Sequence, residues 1–514
     1  MYYPSYIAGE GMKFNRKLPL IITLFFLIIF FIYYILYFNI PSKEHVCEDC
    51  NLVIISITNL RSDHLHFNGY PRETSPNIDG FANEAIVFGD AFTHNSWTLP
   101  AGTSLLTSLY PFSHELMSRY FGKILNSNIT TLIDILNSQG YNTAAFTGGF
   151  DYSPRYNVIN RFSAVEDLGK KYDPQSRATF RKPLGNMPDS PFYYGELSKS
   201  VPAAIDWLEK NGDKQKFFLF AQGFDVHCPF TPPDPYDKLF DSKLFDPKTT
   251  NLDYSTCIFS YSSLEPAILN GTKVYSAHQY YFDDAKNTSL LGNVSLNERE
   301  VEHLIALYDG EIRAADESVG KLLDKINELG LSEKTIIVIT SEHGDLLGEN
   351  GRFMRGGPVR GTYFDAVLHI PLMIKHPNLE PKRVSGMVQL IDVMPTLLDF
   401  LNIKTNVKMD GKSLLPLIFK NQTVNEFVFA GAEFTPTVEH HFFSDSTIIV
   451  SVRNEEWKLI KEISFSPDNK TFIKEVNYEL YNLKADPGEN NNVFDDYKEV
   501  GKSLESKIKR QFGV

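Results

Sequence analysis

A basic surplus is the first thing missing from this sequence. Its 50 Lys and Arg face 63 Asp and Glu, leaving a formal net charge of −13. Affinity for a phosphate backbone rests on clustered cations, so the chain is no general nucleic-acid binder and must grip any anionic partner in a local pocket. Cysteine is scarce as well, with only Cys47, Cys50, Cys228 and Cys257. Cys47 and Cys50 form a C-x-x-C, but no second pair stands at zinc spacing. The pair therefore reads as a disulfide or as free thiols rather than as half a metal site. Internal repeats and low-complexity tracts are absent too.

Uncharged hydrophobic runs long enough to cross a bilayer are missing everywhere but once. Residues 18–38 (LPLIITLFFLIIFFIYYILYF) carry no charge. At about 1.5 Å per residue they cover roughly 30 Å of hydrocarbon, which predicts one transmembrane helix. A cleaved signal peptide would have an apolar stretch of only about 7–15 residues, so the run reads as an uncleaved anchor. Lys13, Arg16 and Lys17 precede it, while Lys43, Glu44 and His45 follow. The positive-inside bias then puts the short N-terminus in the cytoplasm and the rest of the chain outside. The expected division is a cytoplasmic segment 1–17, an anchor 18–38, a linker 39–50, an α/β domain 51–420 and a small β-rich domain 421–514 with a final helix.

What is present is material for a large core, 43% hydrophobic and 13% aromatic. From residue 50 onward short apolar runs alternate with helical patterns, the mark of a parallel sheet covered by helices. Strands are expected at 52–57 (LVIISI), 141–146, 217–221, 335–340 (TIIVIT) and 369–375. Helices are expected at 77–85, 130–138, 201–210, 297–329 and 394–401. In the longest of these, Ile305, Ile312, Ala315, Val319, Leu322, Ile326 and Leu329 fall on one face. Beyond 421 the pattern becomes alternating, with strands expected at 447–453, 457–460 and 478–483. Residues 231–296 show little periodicity and read as a long irregular loop shaping a substrate entrance.

Three stretches carry candidate chemistry: 57–65 (ITNLRSDHL), 96–111 (SWTLPAGTSLLTSLYP) and 339–351 (ITSEHGDLLGENG). Collinear with them run 69–88 (GYPRETSPNIDGFANEAIVF), 306–323 (ALYDGEIRAADESVGKLL), 391–401 (IDVMPTLLDFL) and 479–492 (ELYNLKADPGENNN). In this set of motifs, over nearly all of residues 51–500, the chain resembles the sulfatases of the alkaline-phosphatase superfamily. The resemblance implies an α/β fold with a large mixed sheet between helices and a small C-terminal β-rich domain. It also implies one divalent cation beneath the nucleophile, held by carboxylates after the first strand and by an acid–histidine or acid–amide pair after a later one. Here that later pair is Glu342 and His343, sensible ligands for Ca²⁺, Mg²⁺, Mn²⁺ or Zn²⁺. Thr58 and Asn59 stand where the family usually places its first acids, so they would be weak ligands and metal binding is expected to be weak.

Sulfatases oxidise the Cys or Ser of a Cys-X-Pro-X-Arg motif to formylglycine. The aligned residues are Thr98-Leu99-Pro100-Ala101-Gly102, which allow no formylglycine and supply no guanidinium. A threonine in this place resembles the phosphoryl-transferring relatives, in which a metal-bound Thr attacks phosphorus. Pro100 can open a helix, which would set Thr98 at an N-terminus where amide donors attract an anion. A helix-capping threonine is the plainer reading of the same residues. His227, in FDVHCP, matches the family's histidine near the leaving group. Arg355, in RFMRGG, falls where relatives carry a Lys or His and is suited to clamp an anionic ester. The Lys and His that sulfatases place near 148–151 are absent. The expectation is a membrane-anchored hydrolase or transferase of a sulfate or phosphate ester, with Thr98 as nucleophile. The alternative is a degenerate member that binds an anionic glycan or lipid head group without turnover.

Overall fold

Buried strands with alternating faces build the centre. The first half of the chain supplies β1 (Asn51–Ile57), β2 (Ile86–Phe92), β3 (Asn142–Thr147), β4 (Ala164–Asp167) and β5 (Phe217–Gly223). An insertion follows, with β6 (Ile258–Phe259), β7 (Ala267–Leu269), β8 (Thr272–Asp283) and β9 (Thr288–Asn297). The chain then returns through β10 (Thr335–Thr340), β11 (His369–Lys375) and β12 (Lys382–Gln389), and ends in β13 (Val428–Phe434), β14 (Ser446–Arg453), β15 (Trp457–Ser466) and β16 (Asn469–Asn482). This computed structural model describes residues 26–29, 46–117, 123–170, 196–241, 250, 252, 254, 257–259, 267–269, 272–283, 288–355, 362–434, 446–466 and 469–514. Residues 47–514 form one unit.

The large sheet runs β12-β2-β11-β10-β1-β5-β3-β4. β11 is antiparallel to both its neighbours, and the remaining pairs are parallel, so the sheet is mixed. Leu52 and Ile54 of β1 point into one core, Val53, Ile55 and Ile57 into the other, as period-two alternation requires. The helix Glu298–Glu328 covers the second core with Ile312, Ala315, Val319, Leu322 and Ile326, and the Asn297–Glu300 capping box starts it. The helices Thr98–Thr107, Leu132–Ser138 and Val393–Phe400 cover the first. Because β1, β5 and β10 run parallel and in step, Ser56 lies level with both Thr340 and Gln222. Their carboxyl ends therefore open onto a common edge, the position where such sheets carry function.

The C-terminal sheet is an antiparallel meander, β13-β14-β15-β16. One face packs on Leu504 and Ile508 of the helix Lys498–Phe512, the other on Phe92, Tyr363 and Phe364 of the large domain. The sequence expectation fails at 231–296. β8 and β9 pair antiparallel over ten residue pairs there, with β6 and β7 beside β8. Ser, Thr, Asn, Gln and His throughout both strands blur the polar–apolar alternation from which strands are read. Among the described residues no helix is long and apolar enough to cross a membrane. The expected span 18–38 lies outside the described residues except for 26–29, which are helical.

Candidate active site

Thr98 is the first residue of its helix rather than the residue that caps it. Its hydroxyl lies 3.0 Å from His343 Nε2. His343 Nδ1 lies 2.9 Å from the Gly344 carbonyl. A carbonyl only accepts, so Nδ1 carries a proton, and when the ring is neutral Nε2 is the acceptor of the Thr98 hydroxyl. This contact with His343, rather than a helix cap, is what the Thr98 side chain makes. Both residues are almost wholly buried.

Glu342, one residue earlier, has a different neighbourhood. Its carboxylate accepts from Tyr152 Oη at 2.7 Å, Ser56 Oγ at 2.8 Å and Thr58 Oγ1 at 3.0 Å. Burial pushes its carboxyl above the usual range, opposed by those bonds. Gln222 Nε2 donates to Thr58 Oγ1 at 2.9 Å, which leaves the Thr58 proton aimed at Glu342. Asn59 sits in the left-handed region at φ 70°, which Asn tolerates, and its amide donates to Asp345 Oδ2 at 2.8 Å. Its Oδ1 is buried with no hydrogen-bond partner among the described residues. Arg355 Nη1 reaches the same Asp345 oxygen at 3.4 Å, and Arg61 Nη1 donates to the Asp345 carbonyl at 3.0 Å. His227, on the turn after β5, keeps Nδ1 on the Cys228 carbonyl at 2.7 Å.

The structure thus brings six of the seven expected residues into three groups: Thr98 with His343, Thr58 with Glu342, and Asn59 with Arg355 through Asp345, while His227 is held by the Cys228 carbonyl. Tyr152, Ser56 and Gln222 were not anticipated from the sequence. Tyr152 follows the stretch where the family's Lys and His are absent, and its partner Glu342 lies 190 residues away. Gly102 is the trace it leaves, because a Cβ there would sit 2.1 Å from Tyr152 Oη.

The donor set does not fit the expected divalent cation. Such an ion needs several charged oxygens. The hydrogens of Ser56, Thr58 and Tyr152 take three of the roughly four lone-pair positions of Glu342, while Asp345 faces an amide and a guanidinium. Among the described residues no three His, Cys, Asp or Glu side chains are grouped to hold a metal.

The family model described as Sulfatase matches residues 50–403, well over half the chain. This chain belongs to the sulfatase family. By that membership it falls in a class of sulfuric ester hydrolases. A second model, N-sulphoglucosamine sulphohydrolase, C-terminal, matches residues 360–512 of this sulfatase. Arylsulfatase K of Bos taurus is 25% identical over 444 residues, covering 84% of this chain and 76% of that protein. An arylsulfatase of Clostridium perfringens is 24% identical over 477 residues, covering 85% and 92%. Among solved structures, the phosphonate monoester hydrolase of Agrobacterium radiobacter superposes with a TM-score of 0.65 at 19% identity, covering 89% of this chain and 94% of its own. A protein solved with its substrate D-glucosamine-2-N,6-O-disulfate superposes at 0.66 and 18% identity, covering 90% and 98%. These two likenesses establish the α/β fold with its large mixed sheet and C-terminal β-rich part. The family typically uses a divalent cation.

Proposed function

We propose that this chain hydrolyses a sulfate or phosphate ester through Thr98 as nucleophile and His343 as its general base. The observation that carries the reading is the 3.0 Å contact between the Thr98 hydroxyl and a ring nitrogen whose tautomer is fixed from the other side. In the first step Thr98 Oγ1 bonds to sulfur or phosphorus and the bond to the leaving oxygen breaks. The hydroxyl proton passes to His343 Nε2 and on to that oxygen. In the second step the oxygen of water bonds to sulfur or phosphorus as the bond to Thr98 Oγ1 breaks; His343 takes a proton from that water and returns one to Thr98 Oγ1, and sulfate or phosphate leaves. Metal support of Thr98 was the expectation from sequence; with the donor set found, His343 takes that part. His227 and Arg355 are assigned to the leaving group and to the charge of the ester. An anionic ester on a glycan or aryl group is the substrate class, as the names of the relatives suggest.

A second reading, that the pocket holds such an anion without turnover, draws on Tyr152 closing over Glu342 beside Gly102. Turnover of aryl sulfates and aryl phosphates separates the two. Thr98→Ala should lower it by about a thousandfold or more with the thermal melt almost unchanged, and Thr98→Ser should keep part of it. An alanine variant with native turnover would remove Thr98 from the mechanism.

The proposal places the catalytic unit outside the membrane, anchored by residues 18–38. Disulfides Cys47–Cys50 and Cys228–Cys257 support an oxidising compartment.

A further inference from the structure

We propose that in this chain the place of the family's divalent cation is taken by protein, with Tyr152, Ser56 and Thr58 completing Glu342 as a closed, metal-free cluster. Three neutral donors converge on one buried carboxylate at 2.7, 2.8 and 3.0 Å. Their directions are fixed from behind. Gln222 donates to Thr58 Oγ1 at 2.9 Å, and its own Oε1 accepts the Gly148 amide at 3.0 Å, which sets the orientation of the Gln222 side chain. Gly148 belongs to the same connection after β3 that delivers Tyr152. The loop therefore places both the phenol and the residue that orients Thr58.

Gly102 and Tyr152 form a matched pair. A Cβ at 102 would lie 2.1 Å from Tyr152 Oη and 2.6 Å from Cζ, so the phenol reaches Glu342 only because position 102 has no side chain. The second acid of the region is closed in the same manner, with the Asn59 amide at 2.8 Å and Arg355 at 3.4 Å on Asp345. A guanidinium there repels a dication as well as occupying its ligand. Tyr152 is thus a positioning residue acting through Glu342. This inference is independent of whether Thr98 turns a substrate over, because its readout is metal, not activity.

The test is elemental analysis of the purified full chain, with melts in EDTA and in added Ca²⁺, Mg²⁺, Mn²⁺ or Zn²⁺. Metal well below one ion per chain and a melt unmoved by any of these is the expected result. One tightly held ion per chain, or a melt lowered by EDTA, overturns the proposal. The double variant Thr58→Asp with Tyr152→Phe restores an acid and removes the phenol hydroxyl. It should gain a rise of several degrees with one of the four cations, because an ion that binds only the folded state stabilises it; loss of packing alone would produce no such gain. A folded double variant with no cation response overturns the assignment of these residues to the cation's place. Should it fail to fold, the metal content and EDTA melt of the native chain decide alone.

Discussion

At the carboxyl edge of the large sheet, the buried carboxylate of Glu342 is surrounded by neutral hydroxyls; at the junction with the C-terminal sheet, the carboxylates of Asp365 and Glu489 meet cations. There Lys458, with no exposure at all, donates to Asp365 Oδ1 and Glu489 Oε1, each at 2.7 Å, and Arg453 closes on the other Asp365 oxygen. The consequences differ. Burial alone would raise the Asp365 carboxyl, but Arg453 and Lys458 hold it well below the usual range. Glu342, with hydroxyls and a backbone amide but no cation, stays above it, and so does Glu489, where burial and the neighbouring Asp365 outweigh Lys458. At the junction donor and acceptor are both ionised, whereas at the edge only the carboxylate is, so removal of one partner strands a buried charge at the junction and leaves neutral hydroxyls at the edge. Of the junction residues Glu489 lies in the stretch ELYNLKADPGENNN, while Thr58 and Asn59 stand after β1 where the resemblance to the family led to an expectation of acids.

The sharpest way to break the comparison is Lys458→Ala. It strands two buried carboxylates and should cost about 3–5 kcal/mol in urea unfolding, the cost of breaking a buried ion pair on one side. A loss under about 1 kcal/mol would mean that the junction is no stronger than the edge. Gly102→Ala attacks the other centre. Overpacking against Tyr152 should cost about 1–3 kcal/mol, reduced by about 1 kcal/mol because Ala suits a helix better than Gly. The net expectation is a loss of up to about 2 kcal/mol, and a stabilising result would show that Tyr152 yields easily and is not held by Glu342.

The smallest effect is a pH slope. Burial pushes the Glu489 carboxyl from its ordinary 4.5 up to about 7, against the pull of Lys458. The folded protein then holds this proton more tightly than the unfolded chain. Glu489 adds its full contribution below 4.5 and loses it as pH climbs through about 7. Glu489→Gln should therefore make the trend of stability with pH more positive across that window, read as urea midpoints at several pH values. An identical trend in both proteins would contradict the assignment.

Much of the framework was legible because it follows local rules. The strands at 335–340 and 369–375 have the expected bounds, and the long helix starts and stops within a residue of expectation, since its apolar stripe and its Asn297 cap both lie in the sequence. The strands of 272–297 were not legible, their polar residues giving no alternation. At the site, Glu342 and His343 stood out because they follow the buried strand 335–340, and Thr98 because it falls in the stretch 98–102 that resembles the family's nucleophile motif. The Tyr152–Glu342 contact could not be read, since it joins distant segments and its one trace is a glycine, which by itself names no partner.

The account turns on Thr98 as the attacking group, and the most direct measurement is chemical trapping during turnover. The chain is mixed with an aryl sulfate, or an aryl phosphate in parallel, quenched in acid and read by peptide mass spectrometry. The account predicts a sulfo or phospho group on Thr98, absent from Thr98→Ala along with the turnover. Sustained turnover with Thr98 unmodified, at the same rate in the alanine variant, would contradict it.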